Sequence, residues 1–368
     1  MDLRLPRTTR TPRHRPRQTG HVQLAVPFAL IALVTVVDIL APPEVHLGPF
    51  LVAAPAITAS FAGPRMTGFV GLVAVLAQVV VAVVRTSLTD LNHSFQVTAL
   101  IMISVFVTLF AHLREVHEKE LIQLRSVAET AQQVVLRPLR ERMGPLRVAS
   151  VYLAAAAEAQ IGGDLYAAAR TATGTRLIIG DVRGKGLEAV GDAALALGAF
   201  RASAHQEADL PGLVTYLEGA VSPDLDDPED RGESFITAAV LDIPDREPVL
   251  HLVSCGHPPP LVLRGGRAVP LVVDRPAPPL GLAGLVESAF AAQSFDFAVG
   301  DVLLLYTDGV LEARDSSGAF FPLEERAAAR SGADPRALLE GLCADLLAHA
   351  ADYTLGDDAA MVAIERLP

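Results

Sequence analysis

Three observations predict an α+β chain in two parts, a four-helix transmembrane region followed by a β-sandwich flanked by α-helices. They are four apolar stretches near the N-terminus, a charged segment without glycine or proline, and a series of short β-rich runs separated by turns. The 368 residues suffice for two domains, and a formal charge of −12 accompanies a composition that is 51% hydrophobic. An apolar segment joined to an acidic globular one near Leu113 accounts for both. Two cysteines, Cys255 and Cys343, far apart and outside any His/Cys cluster, argue against a disulfide framework or structural zinc. The acidic balance argues against non-specific nucleic-acid binding, which needs basic surface.

The membrane domain is expected over residues 21–111, with spans at Val22–Leu40, Leu47–Ala62, Met66–Val84 and Phe95–Ala111. A helix needs about 20 apolar residues to cross the hydrocarbon core, within roughly 17–25. The first and third stretches meet that length, the second is short, and the fourth is at the lower limit. A soluble helical core is the alternative, and four such stretches separated by short loops count against it. Asp38 is the one carboxylate inside these spans, which hold no Lys or Arg. The tail, residues 1–20, carries Arg4, Arg7, Arg10, Arg13, Arg15 and Arg17, which the positive-inside rule places in the cytoplasm. Four crossings return the chain to that side and put Arg65 in a cytoplasmic turn; the outer 85–94 loop has only Arg85 against Asp90. Pro42 and Pro43 offer no small-residue cleavage pattern for a signal peptide. The region reads as an anchor or as a ligand-controlled sensor.

Residues 112–137 form the expected helical linker. Leu121, Leu124, Ala128, Ala131 and Val135 alternate spacings of three and four, the heptad pattern of paired helices, and Pro138 ends the segment. Two readings stay open: an amphipathic helix lying on its own domain, or a short coiled coil that makes a homodimer.

Residues 138–368 form the second domain. Strands are expected at Leu146–Tyr152, Arg176–Asp181, Phe235–Leu241, Pro248–Ser254, Pro260–Leu263 and Asp301–Tyr306. Helices are expected at Leu187–Glu207, Leu210–Val221 and Pro335–Ala351. Many strands with few helices between them favour an α+β sandwich over a doubly wound sheet. Within this domain four acidic motifs recur: Ile161-Gly162-Gly163-Asp164, Ile179-Gly180-Asp181-Val182-Arg183-Gly184-Lys185-Gly186, Leu303-Leu304-Leu305-Tyr306-Thr307-Asp308-Gly309, and Gly356-Asp357-Asp358 before the apolar run Ala359–Ile364. Each sets an aspartate at the end of an apolar run with glycine beside it. One such motif reads as a turn. Four in order read as carboxylates converging at strand ends, where mutual repulsion calls for a cation. All-oxygen donors favour magnesium or manganese over zinc.

These motifs, with Ser234-Phe235-Ile236-Thr237, Cys255-Gly256-His257-Pro258-Pro259-Pro260 and Pro279-Leu280-Gly281-Leu282, closely resemble the metal-dependent PPM class of serine/threonine phosphatases in its bacterial SpoIIE-like branch, from about Ala131 to Ile364. The resemblance implies a PPM-type sandwich with two divalent ions, Mn2+ or Mg2+, at one end. By position Asp164, Asp181, Asp308 and Asp357 are then the metal-binding, catalytic carboxylates. Val182 adds its backbone carbonyl, Gly163 allows close approach, and Asp358 is the lesser candidate of its pair. The implied reaction is hydrolysis of a phosphoserine or phosphothreonine protein by a metal-activated water, without a phosphoenzyme. The implied substrate is an anti-sigma-factor antagonist in a partner-switching pathway. Two positions depart from the branch: Ala167 replaces a frequent aspartate, and Lys185 stands where histidine is common. Ala167 keeps a rival open, a catalytically silent scaffold that binds a phosphoprotein. His257 reads as part of a structural turn, Thr237 as packing or hydrogen-bonding near the site, and the acidic residues Asp224 to Asp230 as a solvated loop.

Overall fold

The computed structural model describes residues 21–42, 47–84, 91–155, 162–222, 235–283 and 290–368, apart from the side chains of 21–23, 91–93, 121–134 and 352. The basic tail, residues 85–90 of the outer loop, the Asp224–Asp230 loop and the heptad side chains from Leu121 to Ala131 lie outside the described residues. The chain divides into two compact units, residues 1–123 and 124–368.

The first unit contains α1 (His21–Leu40), a 3₁₀ turn (Gly48–Val52), α2 (Ala53–Phe61), α3 (Pro64–Val84) and the start of α4 (Leu91–Val135). Two helices, Pro64–Val84 and the Ser94–Glu120 part of α4, are long and apolar enough to cross a membrane by length and composition. The second apolar stretch is not one long helix. Pro49 opens the 3₁₀ turn and Pro64 follows the end of α2, leaving nine α-helical residues. At about 1.5 Å per residue these span roughly 14 Å, against about 30 Å of hydrocarbon.

Small residues bring these helices together. A Cβ on Gly71 of α3 would lie 2.9 Å from the Ser104 Cβ of α4, the close approach typical of helix pairs packed without a hydrophobic drive. Ile31, Leu51, Ala54, Val70, Ala74 and Leu100 make the core, while Phe69, Leu72, Leu76, Met102 and Phe106 face outward. Thr35, Thr58, Thr67 and Thr108 turn their hydroxyls back onto the carbonyl four residues earlier, so none of these hydroxyls needs an outside partner. Arg114 of α4 donates to the Ala59 and Ala62 carbonyl oxygens at 2.6 and 3.5 Å. The α2–α3 turn and the charged stretch of α4 thus share one end of this unit.

The second unit begins with the end of α4, whose Val135 carbonyl accepts from Arg201 at 3.0 Å. The strands are β1 (Arg142–Met143), β2 (Leu146–Leu153), β3 (Leu165–Arg170), β4 (Gly174–Val182), β5 (Ile236–Pro244), β6 (Val249–Cys255), β7 (Leu261–Arg264), β8 (Arg267–Pro270), β9 (Gln293–Asp296), β10 (Val302–Tyr306) and β11 (Ala359–Arg366). They form two antiparallel sheets, ordered β1-β2-β11-β10-β7-β8 and β3-β4-β5-β6-β9. Helices α5 (Leu187–Ser203) and α6 (Leu210–Val221) cover the second sheet, and α8 (Leu323–Ala328) and α9 (Pro335–His349) cover the first, with the short α7 (Asp308–Glu312) after β10.

This layering explains the unbroken apolar runs. Along β10, Leu303 and Leu305 point into the core between the sheets, whereas Val302, Leu304 and Tyr306 point into a second core under α8 and α9. β11 divides the same way: Ala360, Val362 and Ile364 face one side, Ala359, Met361 and Ala363 the other. A strand covered on both faces loses its polar alternation. The six expected strands and three expected helices are present with ends shifted by a few residues. β3 is an addition: Leu165-Tyr166-Ala167-Ala168-Ala169-Arg170 is rich in alanine, a weak strand former, and pairing with β4 over its whole length overrides that propensity.

Candidate functional site

Antiparallel pairing sets two acidic motifs side by side in each sheet, and the packing of the two sheets gathers them at one end of the sandwich. Asp164 immediately precedes β3, Asp181 is the next-to-last residue of β4, Thr237 on β5 is its cross-strand partner, Asp308 follows β10, and Asp357 comes just before β11. The start of β3 lies beside the end of β4, and the end of β10 lies beside the start of β11. Asp181, Asp308 and Asp357 line a cleft of about 300 Å³, with Val182, Lys185 and Thr237 also on its wall. Asp164 does not line this cleft and is only 3% exposed.

Backbone contacts fix these positions. A Cβ on Gly163 would meet the Val182 carbonyl oxygen at 2.7 Å, so only glycine lets the Asp164 segment lie against β4 there. A Cβ on Gly309 would fall 1.9 Å from the Asp358 carbonyl oxygen. Thr307 sits at the N-cap of α7 but does not cap it. Its hydroxyl donates to Asp164 Oδ2 at 2.8 Å and accepts from the Ala360 N–H at 2.9 Å, tying β11 to Asp164. Asp358 turns away from the cleft: its carboxylate accepts from the Ala155 N–H at 2.7 Å and the Gly162 N–H at 2.5 Å, pinning both sides of segment 156–161. Sequence motifs do not reveal these roles of Thr307 and Asp358, because each depends on a partner at least 50 residues away in sequence.

The electrostatics express crowding. Burial, followed by the charges of Asp308 and Asp357, pushes Asp181 up to about 7. Burial and then the Asp181 charge hold Asp164 well above the usual carboxylate range. Asp308 is raised by burial, then by Glu312 and Asp357. Lys185 Nζ stands 2.8 Å from Asp357 Oδ2, and this hydrogen bond raises the lysine's own pKa. Ala167 lies on β3 within the apolar core, 4% exposed.

Among the described residues no three acidic, histidine or cysteine side chains stand together as a closed ligand set. The arrangement fits a hard divalent cation that keeps part of its water shell: carboxylate oxygens on an open cleft, with Asp181 and Asp308 raised in pKa by burial and then by neighbouring carboxylates, beside a glycine-lined approach to a backbone carbonyl.

The layered sandwich is that of a PPM, or PP2C-type, phosphatase domain. The SiaA-PP2C domain of Pseudomonas aeruginosa superposes with a TM-score of 0.55 at 17% identity, over 68% of this chain and 98% of that one. The RsbU and RsbW domains of a Mycobacterium tuberculosis protein match at 25% identity over 60% of this chain and 61% of that one, TM-score 0.48. The PP2C phosphatase domain and a regulatory-domain fragment of SpoIIE from Bacillus subtilis match at 18% identity over 60% and 63%, TM-score 0.49. The chain thus spans about three-fifths of these last two. The family model for stage II sporulation protein E matches residues 171–367, more than half of the sequence, and the chain belongs to this SpoIIE family of PPM-type phosphatase domains. That match includes Asp181, Asp308 and Asp357; Asp164 lies just before it.

Proposed function

We propose that this chain is a membrane-anchored, metal-dependent serine/threonine protein phosphatase whose catalytic domain is cytoplasmic. The observation that carries the reading is the convergence of Asp181, Asp308 and Asp357 on one cleft beside buried Asp164, with Asp181 pushed up to about 7 by burial and like charge. In this reading Asp164, Asp181, Asp308 and Asp357, with the Val182 carbonyl, hold two divalent ions, Mn2+ or Mg2+. When bound, such ions polarise a water and offset charge on phosphoryl oxygens. The carboxylates orient the attacking water opposite the ester's leaving oxygen. Thr307 holds Asp164 by its Oδ2, and Lys185 on the cleft wall is placed to meet phosphate oxygens once released from Asp357.

The proposed substrate is a phosphoserine or phosphothreonine protein, in a SpoIIE-family protein an anti-sigma-factor antagonist of a partner-switching pathway. Membrane attachment is supported by the two long apolar helices. The cytoplasmic side is supported by Arg65 and Arg114 at the same end of the first unit, since two crossings separate them whatever the path of α1 and α2. The proposed segments are a tail (1–20), a membrane domain (21–111) with four helical segments, a linker (112–137) able to pair two copies, and the phosphatase domain (138–368).

The test is Mn2+-dependent phosphate release from phosphoserine and phosphothreonine peptides by the full chain in detergent, beside Asp181→Ala and Asp308→Ala. Metal-dependent turnover lost in both variants supports the hydrolase and its site together. Wild-type protein that binds neither Mn2+ nor Mg2+ would count against both.

A further inference from the structure

The Gly256-His257-Pro258-Pro259 turn carries a histidine that does not line the acidic cleft. The His257 ring is buried, with Nε2 3.1 Å from the Tyr306 carbonyl oxygen and Nδ1 3.1 Å from Thr237 Oγ1. A carbonyl oxygen only accepts, so Nε2 carries the ring proton. Burial favours the neutral ring and pushes its pKa down to about 4, which leaves Nδ1 with a bare lone pair. The Thr237 hydroxyl therefore donates its one hydrogen to Nδ1; the other acceptor within reach, the Asp181 carbonyl oxygen, is farther away at 3.5 Å.

Both ends of this relay abut the acidic cleft. Thr237 is the cross-strand partner of Asp181, and Tyr306 lies two residues before Asp308 in a different sheet. The turn is braced where it leaves β6. Gly256 has φ +72, a Cβ there would stand 3.0 Å from Pro279 Cγ, and the Tyr306 hydroxyl donates to the Pro259 carbonyl at 2.8 Å.

We propose that His257 is a positioning residue: a neutral strut, protonated at Nε2, that joins the β5 partner of Asp181 to the end of β10 and so sets the separation of the Asp181 and Asp308 carboxylates. It rests on the metal-site reading above. With its hydrogen engaged by the ring, Thr237 presents only lone pairs to the cleft it lines.

The test uses the full chain in detergent and two readouts. In 15N-histidine NMR, with His257 assigned by its loss in His257→Gln, the ring should show the Nε2-protonated tautomer at neutral pH. An Nδ1-protonated or doubly protonated ring overturns the strut. In calorimetric titration with Mn2+, His257→Phe and Thr237→Val should each weaken binding by about 10–100-fold, the range for partners that orient metal ligands. His257→Gln, which keeps one donor and one acceptor, should recover most of that loss, and His257→Phe with Thr237→Val should cost little more than either alone. A folded His257→Phe with unchanged Mn2+ affinity overturns the proposal even if its melting temperature falls. If His257→Phe does not fold, Thr237→Val, which preserves the ring and the volume, decides on the same criterion. Wild-type protein that binds no Mn2+ would sink the metal-site reading, and the tautomer would still decide the strut.

Discussion

Two apolar runs in this chain have similar composition and opposite surroundings. Val302-Leu303-Leu304-Leu305-Tyr306 of β10 is buried at every position. In α4, across Ile101-Met102-Ile103-Ser104-Val105-Phe106, Met102 and Phe106 are each 68% exposed while the polar Ser104 is 8% exposed. The β-run is covered by its own protein on both faces. The helix points its large apolar side chains outward and its hydroxyl inward, the reverse of a soluble helix. In the proposed reading lipid covers this outward apolar face, which suits a helix of this length.

The predictions sharpen that contrast. The largest effect is chemical: Asp181→Ala or Asp308→Ala should lower metal-dependent phosphate release by at least about 10²-fold, with unchanged membrane insertion on carbonate extraction. If both variants keep wild-type turnover, the cleft is not the catalytic site. Next, Leu304→Ala removes a side chain enclosed on all sides and should destabilise the second unit by about 2–5 kcal/mol, read by denaturant unfolding. Phe106→Ala, at an outward position, should leave that unit's unfolding unmoved. An equal loss from both would mean that α4 is covered by protein.

Phe106→Arg should oppose insertion by roughly 2.5–3.5 kcal/mol, measured by glycosylation mapping of the α4 segment. Insertion as efficient as wild type would remove α4 from the lipid-facing set.

The smallest effect is a pH dependence of the metal-free protein. Burial, and then the charges of Asp308 and Asp357, push Asp181 in the folded chain up to about 7 from the ordinary 3.8. Its contribution to stability is therefore fully present below about 3.8 and is lost as pH rises towards 7. Metal-free protein should melt a few degrees higher at pH 5.5 than at pH 7.5, and Asp181→Asn should reduce that difference. A flat profile in the wild type would mean that burial and neighbouring charge do not raise Asp181. Mn2+ binding should strengthen over the same rise in pH, because the ion competes with a proton for that carboxylate.

Legibility differed by region. The Leu210–Val221 helix has its expected bounds, and the structure shows what fixes its start: Asp209 accepts from the Gly212 N–H, and Pro211 occupies a position that needs no donor. The second apolar stretch, already short for a span, is divided in the structure into a 3₁₀ turn opened by Pro49 and the nine residues of α2, which hydropathy alone does not show. The four aspartates were legible as a set, since each adjoins an apolar run with glycine beside it; pairing sets Asp308 near Asp357 at neighbouring strand ends, and only the packing of the two sheets brings Asp181 to them. Asp164 belongs to that expected set, and the structure separates it from the other three by burying it. The part played by His257 was not legible. Proline on its C-terminal side explained the turn, and nothing local says that Thr237 and the Tyr306 carbonyl would stand on either side of the ring.

By itself the sequence determined the division into an apolar region and an acidic α+β domain, the main strands, and the carboxylates at their ends, because these follow from periodicity, hydropathy and turn chemistry within a few residues of each position. Only the tertiary structure decided that Asp358 and Thr307 brace the site while Asp181, Asp308 and Asp357 face the cleft. It also decided which face of each apolar run is covered, and that Thr237 and the Tyr306 carbonyl stand on either side of the His257 ring. Those outcomes depend on hydrogen bonds and packing between segments from about 20 to 200 residues apart, and no local pattern encodes them.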